Sequence, residues 1–319
     1  MPNVVCMGEL LIDFVPIEAG VTLAEAEAFK KAPGGAPANV AVGLARLGVS
    51  ACFMGKVGDD DFGRFLAQTL VDNGVDTTPL VLSAEAHTAL AFVSLSAQGE
   101  RDFMFYRHPS ADMLFEPSEV REESFQSARI FHYGSISLIG EPSRGATLHA
   151  IRQAEEAGCL ISYDPNLRLP LWPGKEEARA GLMKGWESAE VVKASAEEIA
   201  FLTGARDVES GVRRLWHPRL KLVTVTEGAA GCRYTTGEAS GHLSGFPVEV
   251  VDTTGAGDGF VAGLLAALID SPALWEDVPA LEEALRFANA VGALTTTQLG
   301  AIPALPTRAA VEAFLASSG

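Results

Sequence analysis

One stretch of this 319-residue chain combines residue types suited to handling a phosphoryl group: Asp252-Thr253-Thr254-Gly255-Ala256-Gly257-Asp258-Gly259-Phe260, running straight into the apolar segment 261–269. At the start of that predicted helix the amides of Gly255, Ala256 and Gly257 have no intrahelical partners. With the positive end of the helix dipole they form a seat for an anion. Asp258 is the odd member, because a carboxylate repels an anion unless it has work to do. The available work is accepting a proton from an attacking hydroxyl. Acids also favour a first helical turn for the dipole alone. Three glycines in five residues, which let a ligand approach the backbone, weigh toward the catalytic reading.

A second glycine-rich turn, Gly34-Gly35-Ala36-Pro37-Ala38-Asn39, precedes another apolar helix. Asn39 falls inside that helix, where a side-chain amide needs a partner, and a polyhydroxy ligand would supply one. Asp13 interrupts Leu10-Leu11-Ile12-Asp13-Phe14-Val15; a ligand contact and the exposed face of a half-buried strand explain it equally well. Arg107 closes Phe103-Met104-Phe105-Tyr106-Arg107. Arg168 follows Asp164-Pro165-Asn166 at a strand end, where ligands bind in open α/β sheets. Both also fit as surface arginines. Thr226-Glu227-Gly228-Ala229-Ala230-Gly231 follows a strand and is a weak candidate for lining a nucleotide.

The elements that must position these residues alternate. Strands are expected at 4–7, 10–15, 51–55, 130–133, 160–163, 191–193 and 222–226, with one more short strand after the Gly228/Gly231 turn. Helices are expected at 38–48, 61–73, 143–157, 176–186, 196–202, 257–269, 281–296 and 307–316. Strand and helix in alternation indicate a parallel sheet covered on both faces. Residues 32–37 read as a turn. Residues 88–96 and 102–107 read as two strands joined at Ala97-Gln98-Gly99-Glu100, a hairpin. With the β-rich residues 10–15 and 21–30, they form a small insertion, a candidate lid.

Lys and Arg number 24 against 41 Asp and Glu, a net charge of −17. That argues against nucleic-acid or anionic-membrane partners, which need a basic footprint. The scattered cysteines Cys6, Cys52, Cys159 and Cys232 contain no C-x-x-C pair, so free thiols in a reducing cytoplasm are expected. No signal peptide or membrane-spanning run is evident. P-loop, N-terminal dinucleotide-binding and nucleophile-elbow motifs are absent.

Gly34 to Ala41 and Asp252 to Phe260 together resemble the two signatures of the ribokinase-like (phosphofructokinase-B) carbohydrate kinases, the second being the more specific. The resemblance covers essentially the whole chain. It implies one ribokinase-like α/β/α sandwich over 1–319, with a β lid formed by about 10–34 and 86–108. Residues 103–114 and 163–172 further resemble fructokinases, implying ATP-dependent phosphorylation of the 6-hydroxyl of D-fructose. By the same resemblance Asp258 is the general base and the 255–257 amides form the anion hole. Asp13, Gly34, Gly35 and Asn39 hold the sugar, with Phe105, Arg107 and Arg168 beside it. Lys193, Thr226, Gly228, Gly231 and Asn289 lie along ATP. The resemblance also implies that Glu198 organises Mg²⁺ through water and that the backbones around Asp252 and Thr254 form a monovalent-cation site, with K⁺ the expected occupant. One departure stands out: the family's N-x-x-E reads Ser195-Ala196-Glu197-Glu198 here. Lid strands in this family often pair between subunits, so by resemblance a homodimer through the lid is expected. Two alternatives stay open, a 2-keto-3-deoxygluconate kinase, whose acid the two arginines would suit, and a catalytically silent scaffold.

Overall fold

Runs of β-branched and aromatic residues, each followed by a helix with an apolar stripe, assemble in the computed structural model into a covered sheet. The structure describes residues 2–18, 20–95 and 101–318. The strands are β1 (Val4–Met7), β2 (Leu11–Pro16), β3 (Phe29–Gly34), β4 (Ala51–Gly58), β5 (Leu80–Ser83), β6 (Leu90–Leu95), β7 (Arg101–Tyr106), β8 (Ile130–Gly134), β9 (Leu160–Asp164), β10 (Val191–Ser195), β11 (Leu222–Thr226), β12 (Cys232–Thr236) and β13 (Ser240–Leu243). The helices are α1 (Ala36–Arg46), α2 (Asp61–Asp72), α3 (Ser143–Glu156), α4 (Lys175–Ser188), α5 (Ala196–Thr203), α6 (Val208–Leu215), α7 (Ala256–Asp270), α8 (Val278–Thr295), α9 (Ala301–Ala304) and α10 (Arg308–Ser317).

The large sheet runs β13-β12-β11-β10-β9-β8-β1-β4-β5. From β11 to β5 all neighbours are parallel, and β12 and β13 add antiparallel at one edge. Every residue of β4 and β8 is buried, which is why these strands read as apolar without alternation. One core lies under α1, α2, α7, α8 and α10, through Leu44, Leu66, Leu264, Leu285 and Val311. The other lies under α3 to α6, through Ile151, Trp186, Ile199 and Val212. The result is three layers, as the alternation predicts.

The small sheet runs β3-β2-β6-β7. Its outer face is aromatic: Phe14 stacks on Phe92 at 5.0 Å and meets Phe62 of α2 edge-on at 5.8 Å. The Lys31 ammonium sits 3.8 Å from the centre of the Phe65 ring. These contacts lean the sheet on α2.

Several boundaries differ from the sequence reading. The expected turn at 32–37 is β3 up to Gly34, with α1 beginning at Ala36; pairing with β2 keeps the chain extended. Residues 21–28 are not strand, because Glu25 folds back to accept from the Thr22 amide and hydroxyl. Strand β5 and helices α6 and α9 escape the periodicity, and the single strand expected after Gly231 is two. The hairpin joint at 97–100 lies outside the described residues.

Candidate active site

Two helix starts converge at the carboxyl ends of the parallel strands, and small residues bring them together. Gly43 on α1 faces Ala262 on α7 so closely that a Cβ on Gly43 would lie 2.6 Å from the Ala262 Cβ. One turn nearer each N-terminus, the Asn39 side chain therefore reaches Asp258, with Nδ2 donating to Oδ2 at 2.7 Å. The Asn39 Oδ1 is buried with no hydrogen-bond partner among the described residues. Gly255, at φ 79, turns the chain into α7 in a left-handed conformation that glycine adopts without cost. Burial pushes the Asp258 carboxyl up to about 6, and Asp164 adds to the rise. The Asn39 hydrogen bond, Lys193 and Arg168 partly oppose it.

Beside the α7 start stands a charge cluster from two strand ends. Lys193 Nζ on β10 pairs with Asp164 Oδ2 on β9 at 3.0 Å, both side chains nearly closed to solvent. Burial alone would lower the Lys193 pKa, but the Asp164 and Glu198 charges reverse that and raise it. A Cβ on Gly257 would sit 2.7 Å from Lys193 Nζ, so the ammonium lies against the first turn of α7. Glu198 forms a capping box with Ser195: Ser195 Oγ accepts from the Glu198 amide at 3.2 Å, and Glu198 Oε2 accepts from the Ser195 amide at 2.8 Å. Glu198 Oε1 accepts from the Leu167 amide at 2.7 Å and so pins the loop carrying Arg168. Serine caps a helix as well as asparagine does, which accounts locally for Ser195. Burial and the Asp164 charge raise the Glu198 pKa.

The small sheet closes the other side. Asp13, Ala91 and Phe105 stand in one row across β2, β6 and β7. A Cβ on Gly34 would fall 2.2 Å from Asp13 Oδ2, so the carboxylate lies directly over that glycine. Gly35, at φ 113, presses on the Glu9 carbonyl. Arg107 is buried and pairs through Nη2 with Asp112, which Ser110 also contacts; Arg107 Nε has no partner among the described residues. A cavity of about 270 Å³ opens here, lined among others by Phe105, Arg107, Ile136 and Leu171.

Toward the β12–β13 edge, Gly228 and Gly231 adopt φ 58 and 101. A Cβ on Gly231 would strike the Leu243 carbonyl at 2.1 Å. Thr226 Oγ1 donates to the Ala194 carbonyl at 3.4 Å, and Asn289 Nδ2 points to the Ser244 carbonyl at 3.5 Å. Asp252 is turned inward: Oδ1 accepts from the Thr254 amide and hydroxyl at 2.9 and 2.7 Å, and Oδ2 from the Gly300 amide at 2.9 Å. A cation at this turn would therefore meet main-chain oxygens. No group of three or more His, Cys, Asp or Glu side chains that could hold a metal occurs among the described residues. With the Glu198 carboxylate accepting from two backbone amides, those of Ser195 and Leu167, Mg²⁺ fits as an ion carried on nucleotide phosphates and met through water. A larger hollow, about 680 Å³, lies at the opposite end of the strands. Its cations are already engaged, Arg219 by Glu155, Lys221 by Glu190 and Arg129 by the Ile269 carbonyl, and it holds none of the residues above.

Sequence reasoning missed Asp164 as the partner of Lys193, Asp112 as the partner of Arg107, and Gly43 as the closest approach of two helices. Asp164 had a signal, an acid ending an otherwise buried strand. Gly43 had none, because its neighbour Ala262 lies on a helix 219 positions further along the chain; Asp112 is only five residues from Arg107, but nothing in the spacing shows that the chain folds back to pair them.

With this geometry in place, the comparisons are informative. The model of the "pfkB family carbohydrate kinase" matches residues 1–308. The chain is 58% identical over 316 residues to "Probable fructokinase-6, chloroplastic" of Arabidopsis thaliana, covering 98% of this chain and 82% of that one. A solved fructokinase with bound ATP from Xylella fastidiosa superposes with TM-score 0.92 at 38% identity, covering 99% of each chain. A double mutant of fructokinase from Vibrio cholerae O395, in a form with fructose, ADP and potassium ion bound, gives 0.90 at 41% identity, covering 99% of this chain and 98% of that one. The α/β/α sandwich is thus of the ribokinase-like kind, and the chain belongs to the pfkB family of carbohydrate kinases.

Proposed function

We propose that this protein is a fructokinase, transferring the γ-phosphoryl of ATP to the 6-hydroxyl of D-fructose. The observation that carries the reading is Asp258: a buried carboxylate at a helix start, pushed up to about 6, held by Asn39 and next to Lys193. The 6-hydroxyl oxygen attacks the γ-phosphorus, the bond to the ADP oxygen breaks, and the hydroxyl proton passes to the Asp258 carboxylate. Amides of Gly255, Ala256 and Gly257 receive the charge that develops on the phosphoryl oxygens. Lys193, held by Asp164, lies on the same side and steadies the phosphates.

Asn39 Oδ1, buried without a partner among the described residues, accepts from a sugar hydroxyl, and Asp13 does the same over Gly34 and Gly35. Phe105 offers an apolar wall to the ring, with Arg107 and Arg168 at its edge. Thr226, Gly228, Gly231 and Asn289 line the nucleotide. Glu198 would order the water of a phosphate-bound Mg²⁺, which would supply charge neutralisation on the phosphates, and main-chain oxygens of the Asp252–Thr254 turn would hold K⁺. Arg107 is already paired with Asp112, which favours a neutral sugar over the carboxylate of 2-keto-3-deoxygluconate.

The small sheet acts as the lid, excluding water from the phosphoryl. Its outer face leaves Met104 and Tyr106 exposed, which suits pairing with a second copy. The four cysteines are free and buried, which suits a cytoplasmic location. No helix among the described residues is long and apolar enough to cross a membrane. The test is ADP production across a panel of hexoses, pentoses, nucleosides and 2-keto-3-deoxygluconate, with and without K⁺. Fructose should give the highest kcat/KM; a higher value for the sugar acid would reverse the assignment.

A further inference from the structure

The connections between the two sheets meet at a buried carboxylate that the reaction itself does not use. Glu9 lies between β1 and β2, where the chain leaves the large sheet for the small one, and it is 3% exposed. Gly35 is the point of return, between β3 and α1. Its φ of 113 brings it against the Glu9 carbonyl, where a Cβ would lie 2.3 Å from the oxygen. Gly35 has no side chain to cap α1, and no side-chain cap comes from that position. Glu9 takes over the job from the other crossing: Oε1 accepts from the Ala36 amide at 2.9 Å. The third crossing, after β7, brings Arg107 and Asp112 close enough for both charges to act on Glu9. Burial pushes the Glu9 carboxyl up to about 7; its own amide, the Ala36 amide and Arg107 oppose the rise, and Asp112 adds to it. A carboxylate kept buried against such a penalty is held there by what it ties together.

What it ties together is the first turn of α1, and Asn39 stands in that turn. We propose that Glu9 is a positioning residue: by capping α1 from the outgoing lid connection, it fixes Asn39, and so sugar binding, to the seating of the small sheet. No contact of Glu9 with sugar or nucleotide is needed. The inference rests on the reading of Asn39 as a sugar ligand only for its kinetic consequence; the cap itself is independent of substrate.

The experiment compares Glu9→Asp with Glu9→Gln in the full-length protein. The aspartate keeps the charge but withdraws the oxygen from Ala36 by one methylene. The glutamine keeps an acceptor at the right length. Glu9→Asp should raise the fructose KM about tenfold, the order that losing one helix cap gives, with ATP KM and kcat within about twofold. Its Ala36 and Asn39 amides, bonded in wild type to Glu9 Oε1 and the Gly35 carbonyl, should lose hydrogen-exchange protection. Glu9→Gln should restore both to within about threefold of wild type. Unchanged fructose KM and unchanged protection in Glu9→Asp would overturn the proposal, as would equal damage in the two variants. If wild type fails to turn over fructose at all, the functional reading falls by itself, and protection of the Ala36 and Asn39 amides still decides the role of Glu9.

Discussion

Replacing Asp258 by Asn should cost turnover and add stability, in amounts the site's geometry allows one to state. Burial holds the carboxyl at about 6 instead of its ordinary 3.8. An acid whose pKa is higher folded than unfolded binds its proton more tightly in the folded state. Its cost is therefore absent below pH 3.8, grows between 3.8 and about 6, and is complete above that. Lifting a carboxyl over this range costs the folded protein about 3 kcal/mol once ionised. Asparagine has nearly the same shape and keeps an oxygen for the Asn39 amide, so it removes the charge without opening a cavity. Urea unfolding should show the variant more stable than wild type by about 3 kcal/mol at pH 7.5 and by under about 1 kcal/mol at pH 4. In the same variant the proton acceptor is gone, and kcat should fall by roughly 10² to 10⁴, a barrier increase of about 3–5 kcal/mol. Wild-type kcat/KM should fall tenfold per pH unit below about 6, and the variant's residual rate should lose that limb. A variant within tenfold of wild-type turnover, or one destabilised at pH 7.5, would refute the assignment of Asp258 as a buried base.

Gly43→Val places a side chain where even a Cβ would lie 2.6 Å from Ala262. It should destabilise by about 1–3 kcal/mol and raise the fructose KM more than the ATP KM, by parting Asn39 from Asp258; equal rises would count against the convergence argument. Lys193→Met leaves Asp164 buried and unpaired, a loss of about 3–5 kcal/mol in thermal or urea unfolding. Adding Asp164→Asn should restore most of that stability and none of the ATP affinity. Gly257→Ala meets only the far end of the Lys193 side chain, which can shift a few tenths of an ångström while staying paired with Asp164, so stability should change by less than about 1 kcal/mol while kcat/KM for ATP drops at least tenfold. Met104→Glu on the outer face of the small sheet should convert a dimer to monomer in sedimentation velocity; a wild-type protein that is monomeric at every concentration would dismiss that face as an interface.

The sequence by itself carried the layered α/β architecture, since alternating buried strands and amphipathic helices permit few other arrangements. It also carried the two glycine turns and the family, because both signatures are local. The end of β3 reads as a turn in the sequence, since Pro33-Gly34 followed by Gly35 signals a break unless a partner strand is already in place. Ser195 looked like a defect in a metal motif; in the fold it is a helix cap whose partner is the same Glu198. What only the tertiary structure decided is which side chains meet. Asn39 and Asp258 are 219 residues apart, and their contact depends on Gly43 and Ala262 letting two helices close. The role of Glu9 depends likewise on two chain crossings that the linear order keeps apart. Local propensity sets the elements, but a buried charge acquires its pKa and its partner only when packing excludes water around it.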